Sequence, residues 1–463
     1  MHKVFLFALV CLLCIGTMFL LTSCNESLEP IGVSVIDVVE DEDFEQLDKI
    51  EETEISAEET EIASEKAEEI DEKKNPSDEQ LDKIEEIDIS SIVIPQMSAR
   101  LQNEINEIAK SYNAMSIQIA MIRNGRVVAV HSYGYAISGV RAVDDDTKYR
   151  VASITKAVLA MVVMQQYEMG NIDLDRDISE YWDMPVRNPY HPDIPITIRQ
   201  LLTHTSSLQI FTYGSPSDGD LVRSRFVDGS GFVDKVPGLE QSWQYNNYGY
   251  SVLGLTVELA TGRTINDLAK EYLFSPLGIN AGFGIGPLKD KDNIATLYRY
   301  NREVGRSIEF MQDAPGGLYP GDTGLEFAGG LVANAGDAAR LFAVLANGGE
   351  YRGIRVLQEE SVRLMEKVVL ERQNFGQGLA LRRTYDLFGE WKLYYHTGSH
   401  FGLWSFAAYS AENRNGVVVL TSGAQGRRGD HGINMVTADI GQLVLNYLRG
   451  PNLSVDGNFI IPD

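Results

Sequence analysis

The chain has 463 residues, of which 44% are hydrophobic, and a formal net charge of −26. That is enough apolar material for a large buried core, and more chain than one typical domain needs. The charge is concentrated: residues 25–90 hold 26 acidic side chains against five lysines, so the rest of the chain is only mildly acidic. No basic stripe is present, which excludes nucleic acid as a partner.

The first residues read as a targeting segment and not as fold. Lys3 precedes an almost wholly apolar run from Val4 to Leu21, the order of a positive n-region and an apolar h-region. Leu21-Thr-Ser-Cys24 then sets small residues before a cysteine. This resembles the lipobox of a bacterial lipoprotein, in which 1–23 is removed and Cys24 becomes the lipidated first residue. The run is also just long enough to span a membrane uncleaved. Both readings put the remainder of the chain outside the cytoplasmic membrane, held to it by a lipid in the first case. Cys11 and Cys14 lie within the signal, so the mature chain has no intrachain disulfide, no Cys-based zinc site and no cysteine nucleophile.

Residues 24–94 are expected to form an acidic, disordered tether, because like charges repel and little apolar surface is available to bury. Glu45-Gln-Leu-Asp-Lys-Ile-Glu-Glu52 recurs at Glu79–Glu86, but two copies are too few for a repeat architecture. The tether supplies reach, and partner binding is its alternative use.

From residue 95 to about 450 the composition is that of a packed domain, followed by a C-terminal tail at 451–463. Leu101, Ile105 and Ile108 recur at helical spacing within 98–112. Two alternating apolar runs flank Asn124-Gly125, a strong hairpin signal. An apolar helix opens at Ser153 and runs to about Met169, where Gly170 stops it. A second strand pair, 403–410 and 417–422, flanks Asn415-Gly416, and a last helix covers about 431–448. Between them, roughly 165–330 reads as helical pieces and Gly/Pro loops. The fold class expected is α+β: an antiparallel sheet covered by helices, with a mainly helical second lobe and a cleft between the two.

Ser153-Ile-Thr-Lys156 is the only Ser-x-x-Lys in the chain. On a helix these residues share a face, so the lysine amine meets the serine hydroxyl. A serine becomes a nucleophile when a base takes its proton, and a lysine serves once burial or nearby positive charge lowers its pKa. At a helix N-terminus the serine's own N–H is also free to meet an oxyanion. The spacing alone proves nothing, since chance supplies it in a chain of this composition. Tyr245-Asn246-Asn247 and His396-Thr397-Gly398 follow in order, and this order matches the Ser-x-x-Lys, Ser-Asp-Asn, Lys-Thr-Gly set of serine β-lactamases and penicillin-binding proteins.

With Tyr-x-Asn second and His-Thr-Gly third, the chain resembles the class C-type branch of that superfamily. That branch includes D-alanyl-D-alanine carboxypeptidases, D-aminopeptidases and esterases. LLTHTSSL (201–208), WQYNNYGYSVLG (243–254) and AGGLVANAGDAARLFAVLANGG (328–349) extend the likeness from about Met97 to Leu448. Ser207 departs from it, standing where the family usually has glycine. The resemblance implies Ser153 as nucleophile, with Lys156 and Tyr245 sharing the proton work. It implies Asn247 on the substrate amide or on Lys156, His396 in the place of the usual lysine, and Thr397 on a substrate carboxylate. The backbone N–H groups of Ser153 and Ser399 would form the oxyanion hole beside Gly398. The substrate expected is a small molecule or peptide: a D-amino-acid peptide, a β-lactam or an ester, handled without cofactor or metal. His-Thr-Gly in place of Lys-Thr-Gly tilts the expectation toward D-stereospecific peptidase chemistry. A catalytically weak sensor or adhesion module is the reading from a different class.

Each residue has an ordinary reading on its own: helix residues, an aromatic core cluster, turn asparagines, a sheet histidine. His204 is expected to serve local structure. Asp173-x-Asp175-x-Asp177 imitates a calcium loop, but Ile178 and Met184 occupy the positions where such a loop needs Gly and Glu. His396 and His400 are four apart, but Gly398 and the expected strand argue against a helical metal face, and no phosphate or dinucleotide fingerprint is evident.

Overall fold

The computed structural model describes residues 97–211, 218–307, 319–388 and 391–449. Cys24, the acidic tether and the C-terminal tail lie outside them. No helix among the described residues is long and apolar enough to cross a membrane.

Helix α1 (Ala99–Ser111) starts where the Ser98 side chain accepts from the Leu101 N–H, satisfying one of the unpaired amides of the first turn. Strands β1 (Ser116–Arg123) and β2 (Arg126–Ile137) meet at Asn124 and Gly125, both at positive φ (49° and 72°), as a tight right-twisting hairpin requires. The main sheet continues with β3 (Arg141–Ala142), β4 (Leu370–Glu371), β5 (Gly376–Gln377), β6 (Arg382–Leu387), β7 (Trp391–His400), β8 (Leu403–Tyr409) and β9 (Gly416–Ser422). Its nine strands lie in the order β4-β5-β6-β7-β8-β9-β1-β2-β3. Every neighbouring pair is antiparallel. Early and late segments of the described residues therefore meet along β1 and β9, with Ile119 opposite Val419.

The second hairpin differs from expectation. Gly416 is the first residue of β9, paired with Tyr409, and the turn is the longer stretch 410–415. Arg414 takes the positive φ (57°) there. Its carbonyl accepts from the Gly125 N–H at 2.7 Å, and the Asn415 side chain accepts from the Asn124 N–H at 3.1 Å. The turn is shaped by docking to the first hairpin as much as by its own residues.

Alternation along the strands divides the core between two faces. Ile117, Ile119, Met121, Phe406, Val417 and Val419 pack with α1 and with α5 (Met435–Arg449). Ala120, Ile122, Ala407, Val418 and Leu420 pack on the other face, where α2 (Ile154–Glu168) and α4 (Ala335–Ala346) lie, with α3 (Asn247–Thr261) against α2. Helix α2 is buried continuously from Ile154 to Gln166, which marks a helix enclosed on all sides instead of an amphipathic surface helix. Each fully buried Val, Leu or Met there contributes about 1.5–3 kcal/mol of transfer free energy. That burial fixes the helix whose N-terminus carries Ser153.

The described residues between 170 and 330 make up a mainly helical region, as expected. The acidic run within it is occupied by arginines: Asp175 binds Arg199 and Asp177 binds Arg187.

Candidate active site

Ser153 is the residue immediately before α2, and its predecessor Ala152 has φ 51°, a left-handed conformation that costs a non-glycine residue free energy. The sharp turn lifts Ser153 to the helix end, where it stays half-buried. One turn along, Lys156 is wholly buried. Its Nζ lies 3.2 Å from Ser153 Oγ, 2.7 Å from Asn247 Oδ1 and 2.6 Å from the Ala328 carbonyl oxygen.

Asn246 caps α3 by accepting from the Gly249 N–H at 3.0 Å, and its amide donates to the Leu208 carbonyl. Its neighbour Asn247 is thereby set as the first helical residue, facing Lys156. Tyr245 precedes the cap, half-buried, with its ring 4.9 Å from Lys156 Nζ. Its phenol interacts electrostatically with the Lys156 amine and the Ser153 hydroxyl.

The third motif lies on β7. Strand β6 pairs with β7 only as far as Arg382 opposite Tyr395. Beyond it β8 continues alone, pairing with His396 through His400, so among the described residues that stretch has an open edge. His396 and Gly398 are buried, while Thr397 and Ser399 alternate with them and are half-buried. The glycine of His-Thr-Gly has a steric reason. A Cβ on Gly398 would overlap the Ser405 hydroxyl and lie 2.8 Å from the Val151 carbonyl and 3.0 Å from Ala152 Cβ. Only a glycine lets β7 approach the loop that carries Ser153 this closely.

The electrostatics follow from burial and from two cations. Burial pushes the Lys156 amine below its usual pKa; Arg382 adds to this, and Tyr245 opposes it. Burial alone would raise the Tyr245 phenol, but Lys156, the Ser153 hydroxyl and Arg382 outweigh it and bring it below the usual value. His396 is held well below the usual histidine range, first by burial and then by Lys156 and Arg382. Its Nδ1 lies 2.6 Å from the Thr397 carbonyl. A carbonyl only accepts, so Nδ1 carries the proton and Nε2 is left as an acceptor. The histidine at this position is therefore neutral.

All eight site residues singled out in the sequence are thus brought to two helix N-termini and one strand edge. Two residues at the site went unnoticed. Arg382 on β6 stands 5.8 Å from the Tyr245 ring and 4.2 Å from that of Phe375; it belongs to no motif. Ala328 acts through its backbone, which leaves no residue-type signal. His204 supports local structure, as its Nδ1 accepts from the Asn246 N–H at 3.1 Å, but its ring also lies 4.5 Å from that of Tyr245. Ser207 has φ 57°, a left-handed conformation that favours the glycine expected there from the family resemblance. Its hydroxyl accepts from Asn188 at 2.8 Å.

Among similar proteins, penicillin-binding protein 4 of Amycolatopsis lactamdurans is 30% identical over 139 residues, 30% of this chain and 36% of that protein. Esterase EstB of Burkholderia gladioli is 27% identical over 213 residues, 42% of this chain and 53% of that one. The chain spans between 35% and 61% of the length of the curated relatives it matches. The octameric penicillin-binding protein homologue from Pyrococcus abyssi superposes with a TM-score of 0.60 at 23% identity, over 75% of this chain and 76% of that one, a likeness of fold. The family model described as Beta-lactamase matches residues 101–442; the chain belongs to the β-lactamase family.

Proposed function

We propose that the protein is a serine acyl-hydrolase that works through an acyl-enzyme on Ser153, with D-stereospecific peptides or related amides as its substrates. The observation that carries the reading is the set of partners around Lys156. A neutral amine has two N–H donors and one lone pair. The Asn247 and Ala328 oxygens, at 2.7 and 2.6 Å, take both donors, so the lone pair is left for the Ser153 hydroxyl at 3.2 Å. The buried amine with its lowered pKa is suited to that proton.

In the acylation step Ser153 Oγ bonds to the substrate carbonyl carbon while its proton passes to the Lys156–Tyr245 pair. The carbonyl oxygen becomes an oxyanion facing the backbone N–H groups of Ser153 and Ser399. When the tetrahedral intermediate collapses, the leaving amine departs with the proton that the pair returns through Tyr245. Water, deprotonated by the same pair, then adds to the ester carbonyl, and Ser153 leaves with the proton. Asn247 orients Lys156 and the substrate amide. Arg382, beside Tyr245, is the cation available to a substrate carboxylate, with Thr397 as its hydrogen-bonding neighbour. His396, being neutral, takes no part in that charge.

Ester hydrolysis at the same site is the second reading, favoured by the 27% identity to an esterase. Incubation with a fluorescent β-lactam and with a fluorophosphonate, followed by intact mass, tests the shared chemistry. No adduct from either reagent, or one that survives Ser153→Ala, would count against it. Turnover of D-Ala-D-Ala peptides against p-nitrophenyl esters then ranks the two readings. The proposal extends to location: Cys24 carries a lipid that holds the domain outside the cytoplasmic membrane, with 25–90 as its tether. Cys24→Ala should move the protein from the membrane fraction to the soluble one; an unchanged distribution would refute the anchor.

A further inference from the structure

The acceptor that Lys156 finds in Ala328 comes from the loop 328–330, which has no strand or helix of its own. Its position is set from elsewhere. Arg150 and Glu326 form an ion pair at 2.9 Å with both side chains about 95% buried (6% and 4% exposed). The same guanidinium donates through Nε to the Gly329 carbonyl at 3.2 Å. One cation thus meets the loop on both sides of Ala328, by charge at Glu326 and by a hydrogen bond at Gly329. The loop folds back on the carboxylate, since a Cβ on Gly330 would overlap Glu326, and the Gly330 N–H donates to the Glu326 carbonyl at 2.7 Å.

Arg150 is also tied to the nucleophile. It lies in the two-residue strand Tyr149–Arg150, where it pairs with Val332, and the Val151 N–H donates to the Leu331 carbonyl at 2.9 Å. The Leu331 N–H donates to Thr155 Oγ1, whose own proton goes to the Ala152 carbonyl at 2.6 Å. Loop and nucleophile turn are therefore held in one register. Stability alone is a poor reason for the pair, because a buried ion pair commonly gives way to apolar residues at little cost. A fork that fixes two groups at once supplies geometry.

We propose that Arg150 and Glu326 are positioning residues for acylation: their clamp holds the Ala328 carbonyl against Lys156, and so aims the lysine lone pair at Ser153. The inference rests on the serine-hydrolase reading above. The titratable and charged groups around Lys156 are Tyr245, Tyr250, Arg382, His204, His396 and His400, with Asn247 its hydrogen-bond partner, and those around Glu326 are Arg150 and Arg306. Loosening the clamp lets water reach Lys156, so the acid limb of the rate profile moves to higher pH.

The test follows the rate of fluorophosphonate labelling against pH in wild type, Arg150→Lys, Glu326→Gln and the double variant Arg150→Met/Glu326→Leu, with thermal unfolding of each. Arg150→Lys keeps the charge and loses the fork, so it guards against outright misfolding. Labelling is expected to slow by roughly 10- to 100-fold in all three variants, with the acid limb moved to higher pH. The apolar double variant should regain stability without regaining rate. A folded variant that labels at the wild-type rate with an unmoved limb would overturn the clamp, as would an apolar double variant that recovers both rate and stability. A wild-type protein that is not labelled at Ser153 would instead overturn the hydrolase reading, and the clamp with it.

Discussion

The side chain that Gly398 lacks would run into the Ser405 hydroxyl, whose proton is given to the Val151 carbonyl at 2.9 Å. Strand β8 is thereby fastened to the loop before Ser153, and Gly398 of β7 lies directly beside that contact. Gly398→Ala is expected to force the two apart, at about 1–3 kcal/mol of stability as for other overpacked cores. Fluorophosphonate labelling should slow on the order of a hundredfold through displaced geometry. Thermal unfolding and labelling kinetics of the purified variant check both; a fully active Gly398→Ala protein would refute the packing argument.

Lys156 must be neutral to act as a base, so labelling should rise with pH along a limb that lies below the ordinary lysine value. Arg382 lowers the Lys156 pKa and Tyr245 raises it. The two variants are therefore expected to move the limb in opposite directions. Arg382→Gln shifts it to higher pH. Tyr245→Phe shifts it to lower pH while the plateau falls by roughly 10²- to 10⁴-fold. Shifts in the same direction would contradict the assignment of Lys156.

His204 supplies the acceptor for the buried Asn246 N–H and a ring surface for Tyr245. Its pKa is held well below the usual range by burial and by Lys156, so it stays neutral through the working pH. His204→Phe keeps the ring and orphans the amide, at about 1–3 kcal/mol. Its melting temperature is expected to fall, with labelling reduced less than in Tyr245→Phe. A variant as inactive as Tyr245→Phe would assign His204 a direct part in the chemistry.

Glu258 is buried at the end of α3 and accepts from the Ile265 and Gly321 N–H groups at 2.8 Å each. Burial raises its pKa to about 7. A carboxyl with a raised folded pKa contributes stability below its unfolded value near 4.5, and that stability is lost as pH rises to about 7. Glu366, raised to about 7 by burial, adds in the same sense. The wild-type melting temperature should decline from pH 5 to pH 8, and Glu258→Gln should flatten the decline. An equal slope in the variant would assign the dependence to other groups.

Much of this protein follows from sequence because the signals concerned are local. Asn124-Gly125 sets a hairpin by its own backbone preferences. The continuous apolar run of α2 requires a buried helix, and the spacing of Ser153 and Lys156 puts both on one face of it. Three short motifs in order singled out Ser153, Lys156 and Tyr245, which the fold brings together. What the tertiary structure decided depends on segments distant in the chain. Gly416 belongs to a strand because the 410–415 turn docks on the first hairpin. Arg382 reaches the site because β6 ends opposite Tyr395, and Ala328 reaches it through a backbone carbonyl that carries no residue signature. The charge state of Lys156, Tyr245 and His396 is likewise collective: a pKa is set by burial and by neighbours within a few ångströms, and only the folded chain determines which neighbours those are.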